Sequence, residues 1–118
     1  MTKPLRWMGS SYRDLVAMPR PVQRVFGYAL SQVEEGFTPL EAKPLTGVGG
    51  GVMELVEDFD RGTYRAVYVA KLPDAVYVLH AFQKKSKSGT ATPKSELALI
   101  RQRYRMALEL SRSTQKPR

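Results

Sequence analysis

The 118-residue chain contains no cysteine and a single histidine, His80. Without cysteine it can form no disulfide, zinc ribbon or iron–sulfur cluster, and it can do no thiol chemistry. A lone imidazole cannot supply the His pair of a metalloprotease or the His cluster of a usual transition-metal site. Long apolar runs are lacking too. The longest charge-free stretch, Pro44–Met53, is ten residues long and rich in glycine, too short to cross a bilayer. No basic-apolar-small leader opens the chain, which leaves the cytoplasm as the expected location, with no membrane partner. Acidic residues are scarce: 11, against 19 Lys plus Arg, for a formal net charge of +8.

What is present describes a folded protein, with 42% hydrophobic and 25% charged residues in a length typical of one domain. The charge is unevenly spread. Residues 1–83 hold nine basic and nine acidic groups and are balanced. Residues 84–118 hold ten basic groups against Glu96 and Glu109 only, so they carry the whole +8. Such polarisation predicts a polyanion or an acidic protein as partner, with a solubilising tail as the plain alternative.

Leu5–Met8 reads as a short strand closed by Gly9, and Ser10 or Ser11 can cap a brief helix that Pro19 must end. Pro21 suits the first turn of a second helix. There Val22, Val25, Phe26, Ala29, Leu30 and Val33 recur at three- and four-residue spacing until Gly36 stops it. Residues 38–51, punctuated by Pro39, Pro44, Gly47 and Gly49–Gly51, read as a flexible loop, since the glycines fit neither a P-loop nor a dinucleotide fingerprint. Val52–Asp58, Tyr64–Lys71 and Ala75–Phe82 read as three strands joined by short turns, hence an antiparallel meander, with Val76, Val78, His80 and Phe82 on one face.

A polar loop over residues 83–92 leads to Thr92-Pro93, a good start for a last helix with Leu97, Ile100, Tyr104, Ala107 and Leu108 as its apolar stripe. At about 100° per residue, Lys94, Arg101, Arg105 and Arg112 cluster beside that stripe. The expectation is a single α+β domain over residues 4–110. It has a small antiparallel β-sheet, two N-terminal helices and one C-terminal helix, and residues 111–118 form a frayed basic tail. Helices on one face of the sheet would leave the other open to a ligand.

Two constellations can carry chemistry. Arg65 lies inside a strand, on the face opposite Tyr64 and Tyr68, and must meet an anion there. That anion is either a carboxylate of the protein, with Glu57, Asp58 and Asp60 nearby, or the phosphate of a ligand. Further on, His80-Ala81-Phe82-Gln83-Lys84-Lys85-Ser86-Lys87 brings three lysines to the end of a strand, behind an aromatic ring and the one histidine. Lysines there can grip a phosphodiester, Phe82 can stack on a base and His80 can move a proton. A packed histidine and a solvated lysine loop are the alternatives.

These residues carry a resemblance. The series Ala42-Lys43-Pro44-Leu45, Gly47, Glu54-Leu55, Tyr64-Arg65-Ala66-Val67-Tyr68 and Leu79–Lys87, followed by Thr92-Pro93 and Glu96, resembles the RelE/ParE toxin superfamily, in its HigB-like, phage-derived branch. It spans roughly residues 4–108. The resemblance implies a type II toxin–antitoxin system toxin of RelE-like α+β fold, acting as a ribosome-dependent mRNA endonuclease. It implies as partners the ribosome, mRNA and a cognate antitoxin of helix-turn-helix type, and it implies no cofactor or metal.

Carried over, Arg65 matches the strand arginine that holds the scissile phosphate. Lys84, with Lys85 beside it, matches a transition-state cation, and Lys43 and Lys87 would touch the RNA backbone. Phe82, Arg101 and Arg105 complete the expected RNA-binding set. The sequence departs from RelE at Met53–Glu57, which has no lysine, and Glu54-Leu55-Val56 lacks the arginine of the HigB-branch triplet. That leaves the general base unassigned, with Glu54 and His80 as the candidates. The rival readings are a ParE-like, non-enzymatic inhibitor of DNA gyrase and an inactive relative that only binds antitoxin or nucleic acid.

Overall fold

The computed structural model describes residues 2–84 and 92–115. In chain order the elements are β1 (Leu5–Trp7), α1 (Ser11–Val16), α2 (Arg20–Glu34), β2 (Ala42–Pro44), β3 (Val52–Phe59), β4 (Gly62–Val69), β5 (Val76–Lys84) and α3 (Lys94–Gln115). They build the expected α+β architecture around a five-stranded sheet of order β1-β5-β4-β3-β2. Neighbours are antiparallel except β1, which lies parallel to β5.

Helix α2 follows its sequence signals closely. Pro21 stands in its first turn, and Val22, Phe26, Ala29, Leu30 and Val33 are buried. It ends where Gly36 takes φ +96°. The Gly36 amide donates to the Val33 carbonyl and the Phe37 amide to that of Gln32, the paired bonds of a Schellman stop. Its apolar side packs with Leu15 and Met18 on Leu55, Ala66, Tyr68, Val76 and Val78 of the sheet.

The sheet's other face is not open, contrary to the sequence expectation. Ile100, Tyr104 and Ala107 of α3 pack there on Val67, Val69, Tyr77 and Leu79. The reason lies in the strands, since β4 and β5 are apolar on both faces, and an exposed second face would leave that area in water. Burying a side chain such as Ile100 contributes about 1.5–3 kcal/mol.

Residues 38–51 also differ from expectation, because Ala42–Pro44 form β2 against Met53–Leu55. The glycines after it are held against α3. Arg101 donates to the Gly47 carbonyl at 2.7 Å and Tyr104 to that of Gly50 at 3.1 Å. A Cβ at Gly49 would collide with the Tyr104 ring.

Strand β5 holds a further departure. Its register against β4 pairs His80 with Val67 and Val78 with Tyr68, leaving Leu79 as an extra residue. This β-bulge reverses the alternation. Val76 and Val78 face α2, whereas Phe82 joins the cluster under α3 and His80 reaches α3 itself. The four therefore do not share one face.

At the opposite end of the sheet α3 continues to Gln115, where a frayed tail was expected from residue 111. Ser111 is buried and donates to Asp74 Oδ1 at 2.6 Å. Tyr77 donates to Asp74 Oδ2, also at 2.6 Å. Burial pushes the Tyr77 phenol up to about 12, and its bond to Asp74 adds to the shift. Burial alone would raise the Asp74 carboxyl. The hydrogen bonds from Ser111, Tyr77, its own backbone and Thr114 outweigh that and hold it below its ordinary value.

With a folded pKa below the unfolded one, Asp74 contributes its full stabilisation above 3.8 and loses it as the pH falls through the depressed value. Asp74→Asn should therefore be less stable than the parent in urea melts at pH 7. The gap should narrow as the pH drops below 4 or so; a gap independent of pH contradicts this account.

Candidate active site

Strand alternation and register decide which side chains become neighbours on the α3 face. Glu54, Val67 and His80 form one row across β3, β4 and β5. Val56, Arg65 and Phe82 form the next, and Asp58, Thr63 and Lys84 the third. The four residues expected to be catalytic thus come from three strands to one end of one face. All are buried, with exposures of 2% for Glu54, 3% for Arg65, 5% for His80 and 6% for Lys84.

Arg65 Nη1 stands 3.0 Å from each carboxylate oxygen of Glu54 and 3.3 Å from Thr92 Oγ1. Thr92 in turn donates to Glu54 Oε2 at 2.9 Å. A buried guanidinium requires such a partner. The sequence pointed to other carboxylates. Glu57 sits on the opposite face, paired in register with Tyr64, and Asp58 accepts from Thr63 at 2.8 Å. A cavity of about 290 Å³ opens over Glu54, Arg65 and Thr92, with the exposed Lys43 also lining it.

His80 belongs to a second network. Arg103 Nη1 donates to His80 Nδ1 at 3.1 Å and to the Leu79 carbonyl at 3.0 Å. Arg103 Nη2 donates to Ser10 Oγ at 3.2 Å, and Ser10 donates to Asp14 at 2.7 Å. On its other side His80 Nε2 lies 2.7 Å from Glu96 Oε1. Phe82 stacks on the imidazole, its centroid 5.0 Å away and the planes 19° apart. The guanidinium lies flat against Gly9, where a Cβ would come within 2.6 Å of Nη2. Burial lowers the Arg103 pKa, and the charges of Asp14 and Glu96 pull it back.

Beside this network runs a cleft of about 720 Å³ lined by Asp14, Tyr64, His80, Phe82, Glu96 and the α1–α2 corner. It lies along β5 beyond Val78, where the pairing with β1 has ended.

Sequence reasoning missed Arg103, Glu96 and Thr92 as site residues. Arg103 left a signal, for it falls on the buried stripe Ile100, Arg103, Tyr104, Ala107 and Ser111, and a charge inside such a stripe must be paired. Among the expected RNA contacts, Phe82 is buried against His80, while Arg101 and Arg105 are exposed on α3. Lys85 and Lys87 lie outside the described residues.

The Arg65–Glu54 pair should show as strong coupling in a double-mutant cycle. Arg65→Met and Glu54→Leu should each cost about 3–5 kcal/mol by denaturant unfolding, because each leaves a buried charge behind. The double variant should cost less than the sum by 1 kcal/mol or so at least. Additive losses contradict the pairing.

Comparisons with known proteins identify the fold and the family. No curated protein matches the chain. Among solved structures, the toxin–antitoxin complex RelBE2 from Mycobacterium tuberculosis superposes with a TM-score of 0.50 at 22% identity, covering 71% of this chain and 100% of the other. That likeness establishes a shared RelE-type fold. Residues 13–105 match the family described as phage derived protein Gp49-like, and since the match spans most of the sequence, the chain belongs to that phage-derived Gp49-like family.

Proposed function

We propose that the chain is the toxin of a type II toxin–antitoxin pair, in the HigB-like branch. In this reading it is an endoribonuclease that cuts mRNA on the ribosome and so arrests translation. The observation that carries the reading is the convergence of Arg65, Lys84, Glu54 and His80 from three strands onto one end of one sheet face, in a Gp49-like protein whose fold is shared with the RelBE2 complex.

Attack of a 2′-hydroxyl on its own phosphate needs a proton acceptor, cations against the phosphorane and a proton for the leaving oxygen. Side chains can meet each requirement. Arg65 and Lys84 are the cations. Lys43 lines the cavity over Arg65, and Arg101 and Arg105 add exposed charge on the same protein, so ribosome and mRNA affinity should fall steeply with salt. The partners are mRNA, the ribosome and a cognate antitoxin of helix-turn-helix type, and the site of action is the cytoplasm. Among the described residues no helix is long and apolar enough to cross a membrane.

Expression in a host without the antitoxin should stop growth, with mRNA cut and plasmid supercoiling unchanged. In a purified ribosome assay Lys84→Ala and Arg65→Lys should cut about 10²–10³-fold more slowly. Loss of supercoiling with intact mRNA would establish the gyrase reading instead, and continued growth would leave a binding protein.

A further inference from the structure

The catalytic base left open between Glu54 and His80 is neither of them: we propose that it is Glu96, with His80 and Arg103 as the positioning residues that aim it. This rests on the endonuclease reading above and assigns the proton acceptor of that same site.

Hydrogen-bond direction fixes the tautomer of His80. A guanidinium carries five N–H donors and no acceptor. Arg103 Nη1 at 3.1 Å from His80 Nδ1 can only donate, so Nδ1 is the accepting nitrogen and the ring hydrogen sits on Nε2. That hydrogen points at Glu96 Oε1, 2.7 Å away. Both imidazole nitrogens are therefore occupied, one receiving from Arg103 and the other donating to Glu96. His80 is also 5% exposed and stacked on Phe82, which leaves it little freedom to turn toward a substrate.

Glu54 is engaged as well. Its two oxygens face Arg65, and Oε2 also accepts from Thr92. A carboxylate in that position neutralises the buried arginine.

Glu96 is placed differently. Its side chain is 29% exposed, and it lines the 720 Å³ cleft together with His80 and Phe82. Oε1 is fixed by His80, whereas among the described residues Oε2 receives no hydrogen bond. The residue lies in the first turn of α3, where the helix dipole favours the ionised carboxylate. Phe82, against which His80 stacks, stands directly opposite Arg65 in the sheet. His80, which holds Glu96, and the phosphate-holding cation Arg65 thus belong to adjacent rows of one face.

In the reaction, Glu96 Oε2 takes the proton from the 2′-hydroxyl as the 2′-oxygen forms its bond to phosphorus. The bond from phosphorus to the 5′-oxygen breaks, and that oxygen takes a proton from solvent water. Glu96 then returns its proton to solvent, so the products are a 2′,3′-cyclic phosphate and a free 5′-hydroxyl, with no net change in protons.

The test has two arms on the full-length protein. Ribosome-dependent cleavage is measured for the parent, Glu96→Gln and Arg103→Lys, with mRNA–ribosome binding measured separately. The proposal expects Glu96→Gln to lower kcat by about 10²–10⁴-fold with binding unchanged. It expects Arg103→Lys to lower kcat by a smaller factor at unchanged KM. The second arm reads nitrogen NMR of the imidazole, unambiguous because the chain has one histidine. Nδ1 should appear unprotonated and Nε2 protonated, and Arg103→Met should redistribute the tautomers.

Parent-like cleavage by Glu96→Gln, or a proton found on Nδ1, overturns the proposal while the endonuclease reading stands. A parent protein that cuts no RNA under conditions where it binds ribosomes overturns that reading, and this base with it.

Discussion

The guanidinium of Arg103 keeps its charge at every pH the protein meets, and it lies buried where α3 crosses the bulged part of β5. A charge in that position has to be fully hydrogen-bonded. Its partners are the Leu79 carbonyl and His80 on β5 and Ser10 at the start of α1. One side chain thereby ties together the sheet, the C-terminal helix and the N-terminal turn, residues far apart in sequence. The requirement reaches outward. Gly9 must lack a side chain for the guanidinium to lie flat, and the Leu79 bulge must bring His80 round to the α3 face for its ring to be met at all.

The second buried arginine solves the same problem locally. Arg65 is neutralised by Glu54 from the adjacent strand, with Thr92 closing the triangle. These two networks stand side by side on one face, across the adjacent rows that carry His80 and Phe82. One opens toward a small cavity with Lys43 over it, the other toward a larger cleft with Glu96 along it.

Much of this was legible in the sequence where local rules decide. The α2 periodicity and its Gly36 stop, the three central strands and the start of α3 follow from spacing, capping and turn residues. Arg65, Glu54, His80 and Lys84 were each singled out. What escaped depends on pairing across the chain. A single extra residue in β5 reverses every inward–outward assignment beyond it, and no alternation pattern reveals where that residue falls. The partner of Arg65 was sought along the neighbouring turn, yet register placed it on Glu54. The glycines of residues 47–51 read as flexibility, whereas Gly49 permits the close approach of Tyr104 and the Gly47 and Gly50 carbonyls receive Arg101 and Tyr104. The covering of both sheet faces was foreshadowed by β4 and β5, whose apolar residues run almost without interruption.

The central claim is that RNA is cut on the α3 face of the sheet, between the Arg65–Glu54 pair and the Glu96–His80–Arg103 network. The most direct measurement is a structure of the protein on the ribosome with an mRNA carrying a 2′-deoxy nucleotide at the cleavage position. The account predicts the scissile phosphate at Arg65 and Lys84, with the 2′ carbon facing Glu96 Oε2 closely enough for a restored hydroxyl to lie within about 3.2 Å of it. RNA bound along the α1–α2 side, with the α3 face untouched, would contradict it.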